Sequence, residues 1–159
     1  MITKIYFAAP LFTQAERMWN RKLSEAIKRK GKDIDVFLPQ DKGKEAIMDG
    51  DIDFKKIQQI CLKGIDSCDV VLAVLDGPDS DSGTCFECGY AFSTGKSIIG
   101  LRTDIRGGED NGLNAMLNQS CDTVIRYENG GEAEEDMHEL TGLIVEKIKS
   151  IYSILMNPR

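Results

Sequence analysis

Glu87 is the residue of this sequence whose type and position most directly suggest chemistry. It follows the apolar run 70–75 and an acidic loop that ends near Asp81. If Asp81 or Ser82 caps a helix, the Glu87 side chain leans back over Gly83, where a ligand can approach closely. The positive end of that helix favours an ionised carboxylate, which is a competent nucleophile toward the anomeric carbon of a sugar. Spacing alone leaves a solvated surface glutamate as the alternative.

Strand-like and helix-like patterns alternate along the chain around this glutamate. Apolar runs bounded by turn residues predict strands, and apolar residues at helical spacing predict helices. Their alternation predicts a doubly wound, mostly parallel five-stranded sheet, flavodoxin-like or Rossmann-like, with helices on both faces. The length of 159 residues fits a single domain, 1–159. The predicted strands are 2–9, 34–38, 69–75, 96–101 and 123–127, the predicted helices are 13–30, 52–66, 83–94, 113–117 and 132–155, and 41–51 is predicted to be a loop with a brief helix.

Three clusters of polar or aromatic residues, 6–12, 76–87 and 102–110, fall at the carboxyl ends of predicted strands. A ligand crevice outside those ends is the expected location in a sheet of this kind. The first cluster lacks the pattern G-x-G-x-x-G, so a dinucleotide site is not expected. Its residues Tyr6 and Phe12 could form an aromatic wall for a flat nucleobase, although core packing explains aromatic residues there equally well.

Charge and cysteine content exclude several classes of function. The 26 acidic residues outnumber the 20 basic ones, which gives no sign of a nucleic-acid partner. The five cysteines, odd in number, indicate reduced thiols. Cys85-x-x-Cys88 has no second such pair and only a distant His138, so no metal or other cofactor is expected. The sequence lacks a signal-peptide pattern and an apolar run of about 18 residues, so we expect a cytoplasmic protein without a membrane partner.

Three segments together resemble one known family, the nucleoside 2-deoxyribosyltransferases. They are the aromatic stretch 6–12 (YFAAPLF), the segment 81–91 with the pattern Asp-x5-Glu-x-Gly-Tyr-Ala, closing at 95–96 with Gly-Lys, and the stretch 114–116 (NAM). The resemblance extends in the same order over nearly the whole chain. The pattern at 81–91 is its most specific part.

This resemblance implies a two-step exchange of 2-deoxyribose between nucleobases, with deoxyribonucleosides and free bases as substrates. Glu87 would be the nucleophile that forms a covalent deoxyribosyl ester, as in retaining glycosyl transfer. Tyr6 would hydrogen-bond Glu87 and hold its orientation, and Asp81 would accept hydrogen bonds from the sugar hydroxyls. In the family, Asn114 and Met116 would complete this end of the site from a neighbouring subunit. The resemblance therefore implies a homo-oligomer, at least a dimer, with shared active sites.

The remaining substrate contacts follow less directly from the resemblance. Gln40 resembles the family's base-contacting glutamine, and Phe12 and Asp76 are further substrate-binding candidates. Family members commonly carry an aspartate eight residues before the position of Asp69, but this chain has Cys61 there, and a thiol replaces a carboxyl poorly as a proton donor to the leaving base. Water or another carboxyl could compensate, the candidates being Asp51, Asp53 and Asp66.

Two other functions stay open at this stage. The first is hydrolysis of 2-deoxynucleoside 5′-monophosphates, which requires a phosphate cradle. The stretch 8–12 offers none, although Arg102, Arg106 and the glycines 107–108 could supply one. The second is a non-catalytic nucleotide-binding module on the same fold, which the presence of Glu87 disfavours.

Overall fold

The computed structural model describes residues 2–48, 50–107, 112–127 and 133–156, and its centre is a parallel sheet of five strands. The sheet confirms the predicted doubly wound α/β class. The strands are β1 Thr3–Ala8, β2 Ile34–Phe37, β3 Ile47–Met48, β4 Asp51–Ile52, β5 Val70–Val74, β6 Ser97–Arg102 and β7 Thr123–Arg126. The helices are α1 Gln14–Lys30, α2 Pro39–Lys42, α3 Phe54–Ser67, α4 Ser82–Ser93, α5 Ala115–Ser120 and α6 Ala133–Met156.

The main sheet has the strand order β2-β1-β5-β6-β7, with every neighbouring pair parallel. The chain winds outward from β1 in one direction and from β5 in the other. The switch point therefore lies between β1 and β5, where a ligand crevice is expected in a sheet of this kind.

Helices cover both faces of the sheet because side chains alternate along each strand. In β1, Ile5 and Phe7 pack in one core cluster with residues of α1 and α6. Tyr6 and Ala8 belong to the other cluster, with residues of α3 and α4. Tyr6 therefore points to the face on which α4 carries Glu87.

The stretch 41–51 differs from its prediction. It contains a 3₁₀ turn at Gly43–Ala46 and then an antiparallel hairpin, in which Ile47 of β3 pairs with Ile52 of β4. The predicted start of the next helix at Ile52 is also wrong. The helix α3 begins at Phe54 because the Asp53 side chain caps it, accepting a hydrogen bond from the Lys56 amide at 2.9 Å.

The other boundaries agree with prediction to within a few residues. The short helix predicted at 113–117 is α5, which begins one residue after Asn114 because that side chain caps it, accepting from the Met116 amide at 3.0 Å. Residues 108–110 of the predicted third cluster and residue 132 of the predicted last helix lie outside the described residues.

Candidate active site

A carboxylate and a phenol meet at the switch point of the sheet. The Tyr6 hydroxyl on β1 donates a hydrogen bond of 2.6 Å to Oε1 of Glu87 on α4. Tyr6 is fully buried, whereas Glu87 is only partly so. The contact joins residues 81 positions apart, so it depends on the packing of α4 against β1. It agrees with the orientation that the family resemblance implied for this pair.

Glu87 has its position because α4 starts at a well-defined point. Asp81 is the N-cap, and its Oδ2 accepts from the Thr84 amide at 2.8 Å and from the Thr84 hydroxyl at 3.1 Å. Glu87 then lies in the second turn, with the exposed Gly83 four residues before it. No hydrogen bond to the other Asp81 oxygen, Oδ1, is seen in the part of the chain that the structure describes, so Asp81 retains an acceptor beside Glu87.

The ring of Tyr6 is held between an aromatic residue and a glycine. It stacks on Phe37 with 5.4 Å between ring centroids and 16° between planes. Gly64 on α3 lies against both rings, because a Cβ at that position would come within 2.8 Å of each. Sequence reasoning missed Gly64, although a glycine inside a helical pattern is itself a signal of close packing.

Burial dominates the electrostatics of Glu87. It raises the pKa of Glu87 to about 7, and the charge of Asp81 adds to the rise, while hydrogen bonding to Tyr6 and Cys61 opposes it. The ionised form that the helix N-terminus favours is therefore the major form of Glu87 only above about pH 7. Burial also raises the pKa of Tyr6, with the Glu87 charge next in size, so the phenol stays a hydrogen-bond donor.

Cys61 is the third member of this group. It lies on α3 one turn before Gly64, and it interacts with both Tyr6 and Glu87. Burial raises the pKa of Cys61 above its ordinary value, so the thiol is neutral in the physiological range. Cys61 therefore presents a weak donor at the position where the family resemblance led us to expect a carboxyl group.

A cavity of about 650 Å³ opens beside Cys61. Its apolar wall comes from the β3–β4 hairpin and from α3, through Ile47, Ile52, Ile57 and Ile60. The volume is in the range of small-molecule sites, and an apolar wall suits a flat ring. The hairpin that sequence reasoning missed thus forms one side of the cavity that Cys61 lines.

Gln40 lines this cavity, as expected for a base-contacting residue. Its Nε2 donates to the backbone carbonyl of Arg17 at 2.9 Å, and its Oε1 lies 3.4 Å from Nδ2 of Asn20. The helix α1 therefore holds the amide in a set orientation. Phe12 is 72% exposed and is not part of the cavity wall, so its proposed contact with a base stays a prediction.

Asp76 has a structural partner in the next loop. Its two carboxylate oxygens accept hydrogen bonds from the Thr103 amide and hydroxyl, both at 2.6 Å, and from the Asp104 amide at 3.0 Å. The side chain thus ties the loop after β5 to the loop after β6. Its substrate-binding role remains a prediction.

Asn114 and Met116 lie apart from the Tyr6–Glu87 pair within one chain. They line a second cavity, of about 360 Å³, together with Asp79 and Cys85. The Asn114 side chain is committed to capping α5, and Met116 is 81% exposed. The structure of a single chain therefore does not bring these two residues to Glu87.

The described residues contain no group of three or more His, Cys, Asp or Glu side chains arranged to hold a metal ion. Within the same part of the chain, none of the helices has the length and apolar character needed to cross a membrane.

The fold and site define a doubly wound α/β protein with a hydrogen-bonded pair of a partly buried carboxylate and a buried phenol at its switch point. The profile of the nucleoside 2-deoxyribosyltransferase family matches residues 5–127, and the chain belongs to this family. No curated protein sequence matches the chain at a significant level.

Solved structures share the fold. A conserved protein from Enterococcus faecalis V583 is 31% identical, with a TM-score of 0.71 and coverage of 91% of this chain and 99% of that one. The 2-deoxyribosyltransferase of Bacillus psychrosaccharolyticus is 22% identical, with a TM-score of 0.65 and coverage of 86% and 90%. The CMP N-glycosidase BcmB of Clostridium botulinum is 19% identical, with a TM-score of 0.60 and coverage of 89% and 99%.

Proposed function

We propose that the protein transfers 2-deoxyribose between nucleobases, a reaction of nucleoside salvage, through a covalent deoxyribosyl ester of Glu87. The observation that carries this proposal is the 2.6 Å hydrogen bond from Tyr6 to Oε1 of Glu87, next to Cys61, which lines a cavity of about 650 Å³. The bond engages Oε1, and Oε2 is the oxygen that would approach the sugar. Membership of the nucleoside 2-deoxyribosyltransferase family supports the same reaction.

In the first step, Oε2 of Glu87 forms a bond to the anomeric carbon while the bond from that carbon to the base nitrogen breaks. The electron pair of the broken bond leaves with the base. Tyr6 holds the carboxylate in place, and Asp81 accepts hydrogen bonds from the sugar hydroxyls with its free oxygen. A second base then attacks the anomeric carbon on the face that the first base left and releases the Glu87 carboxylate.

Hydrolysis of a deoxynucleoside 5′-monophosphate is the alternative reaction, and the arginines proposed to bind its phosphate have other partners. Arg102 is buried and donates to the carbonyls of Leu75 and Gly77 at 2.8 and 3.2 Å. Arg106 pairs with the carboxylate of Asp104. These contacts argue against Arg102 and Arg106 as a phosphate cradle.

The direct test is a transfer assay. Deoxyinosine is incubated with thymine or with adenine in separate reactions, and we expect thymidine or deoxyadenosine to form along with hypoxanthine. The variant Glu87→Ala should fold normally and form no product. Release of hypoxanthine at one rate, with or without an acceptor base, would identify a hydrolase instead. Nucleoside binding without any product would favour the non-catalytic module.

We also propose that the active form is a homo-oligomer in which a neighbouring subunit contributes Asn114 and Met116. The high exposure of Met116 and the separation of these residues from Glu87 within one chain support this arrangement. Size-exclusion chromatography with light scattering measures the oligomeric state directly, and a monomer that is fully active would argue against shared sites.

A further inference from the structure

The charged groups of the cavity beside Cys61 are all cations. Arg17, Lys42 and Lys44 line it, and no carboxylate does. Lys42 is paired with Glu45 at 2.9 Å. The Lys44 ammonium group has no ion pair with any residue of the described ranges. Arg17 donates to the backbone carbonyls of Leu11 and Phe12 at 3.0 and 2.6 Å. Lys44 is exposed, so it places a cation without an ion-pair partner among the described residues at the edge of an apolar cavity, where it favours an anionic over a cationic occupant.

The carboxyls that could have supplied a proton to a leaving base lie elsewhere. Asp53 caps α3, and Asp66 accepts a hydrogen bond of 2.8 Å from the Tyr90 hydroxyl. Asp51 is exposed on the hairpin and is not part of the cavity wall. Cys61 is the wall residue that interacts with Glu87, and its neutral thiol is a weak donor.

From this arrangement we propose that the site releases the base as an anion, and that it therefore acts on nucleosides whose base carries a ring carbonyl, such as hypoxanthine, in preference to adenine. The inference rests on the proposed deoxyribosyl transfer and adds the class of base to it. Lys44 is the residue that determines specificity, because its ammonium group can bind the charged carbonyl oxygen of the base. Cys61 contributes because its thiol does not protonate the leaving base.

The charge balance of the step is the physical reason for this preference. The carboxylate of Glu87 becomes a neutral ester, so its negative charge passes to the departing base with the electron pair of the broken bond. In a base with a ring carbonyl this charge spreads to the carbonyl oxygen, which an ammonium group can bind. Water then donates a proton to the base. Adenine has no carbonyl oxygen and departs more readily when an acid protonates a ring nitrogen, which this cavity does not provide.

The first test compares two donor nucleosides with the wild-type protein. Deoxyinosine and deoxyadenosine are compared as donors, each with thymine as the acceptor, and kcat/KM is measured for thymidine formation. We expect deoxyinosine to be the better donor by about tenfold or more, a modest part of what a missing general acid is worth. Equal values for the two donors would overturn the inference and leave the proposed transfer intact. If neither donor reacts, the proposed transfer fails and the inference fails with it.

Variants at Cys61 and Lys44 test separately the missing acid and the cation. Cys61→Asp adds an acid, so the ratio of deoxyadenosine to deoxyinosine activity should rise by about tenfold, and the gain should disappear as the pH rises and the new carboxyl ionises. Cys61→Asn is the matched control of the same shape without an acid, and it should show no such gain. Lys44→Met should lower activity with deoxyinosine more than with deoxyadenosine. The inference would be contradicted if the ratio of deoxyadenosine to deoxyinosine activity were the same in Cys61→Asp and Cys61→Asn. It would also be contradicted if Lys44→Met lost equal activity with both donors.

Discussion

Replacing Tyr6 by phenylalanine should move the pH dependence of the reaction, because it removes the donor 2.6 Å from Oε1 of Glu87. A hydrogen bond to a charged group contributes about 1.5 to 3 kcal/mol, and one pKa unit corresponds to about 1.4 kcal/mol. The pKa of Glu87, about 7 in the wild type, should therefore rise by about one to two units. At neutral pH the ionised fraction would fall from about half to about a tenth or less.

The measurement is the profile of kcat/KM against pH for deoxyinosine with thymine as the acceptor, since this parameter reports ionisations of the free enzyme. The wild-type rate should rise with pH as Glu87 ionises near pH 7. In Tyr6→Phe this acidic limb should lie at higher pH, and the rate should partly recover in alkaline buffer. Recovery of the rate would show that the pKa of Glu87 has shifted, because an unfolded variant would stay inactive at every pH.

Tyr90→Phe is the matched control. Tyr90 lies on the same helix as Glu87, but its hydroxyl bonds to Asp66 at 2.8 Å and not to the site. Removing that hydroxyl should leave the acidic limb where it is. The reasoning about Glu87 would be refuted if Tyr6→Phe left the limb unmoved, or if both variants moved it equally.

Three further predictions test the surroundings of Glu87. Alanine at Gly64 puts a Cβ within 2.8 Å of the buried Tyr6 ring and the partly buried Phe37 ring, so it should cost about 1 to 3 kcal/mol of stability and most of the turnover. Alanine at Gly89 in α4, where a Cβ would meet nothing within 4 Å, should be neutral or stabilising by about 0.5 to 1 kcal/mol. Asp81→Asn keeps a capping oxygen but removes a charge that raises the pKa of Glu87, so the acidic limb should move to lower pH while KM for the nucleoside rises. Co-expression of Glu87→Ala with Asn114→Ala chains should restore part of the activity that each variant lacks alone, because mixed oligomers contain some intact shared sites.

Each of these predictions has a result that would contradict it. Thermal unfolding should separate Gly64→Ala from Gly89→Ala, and equal melting temperatures would argue against close packing at Gly64. A limb that moves to higher pH in Asp81→Asn would contradict the sign of the charge effect. Mixed oligomers as inactive as either parent would argue that Asn114 does not act across a subunit boundary.

Local patterns in the sequence predict the five strands of the main sheet, the helices that cover it and the start of the helix that carries Glu87. These features depend on local properties. One is apolar periodicity within a segment, and the other is the Asp81 side chain, which caps the helix by accepting a hydrogen bond from the Thr84 amide three residues later. The hairpin of β3 and β4 escaped prediction because its strands have only two residues each, too few to produce a periodic pattern. The same limit applies to Ile52, whose apolar character fits a helix or a strand equally well.

How these residues act together follows from the tertiary structure. It brought Tyr6 to Glu87 across 81 positions of sequence and packed Gly64 against the Tyr6 ring. It also gave Asp76 partners in the next loop. The pKa of Glu87 also depends on tertiary packing. Burial by neighbouring elements raises this pKa, although the nearby helix N-terminus favours the ionised form. Burial and long-range contact depend on how separate segments pack, and this information is not contained in the spacing of residues along any one of them.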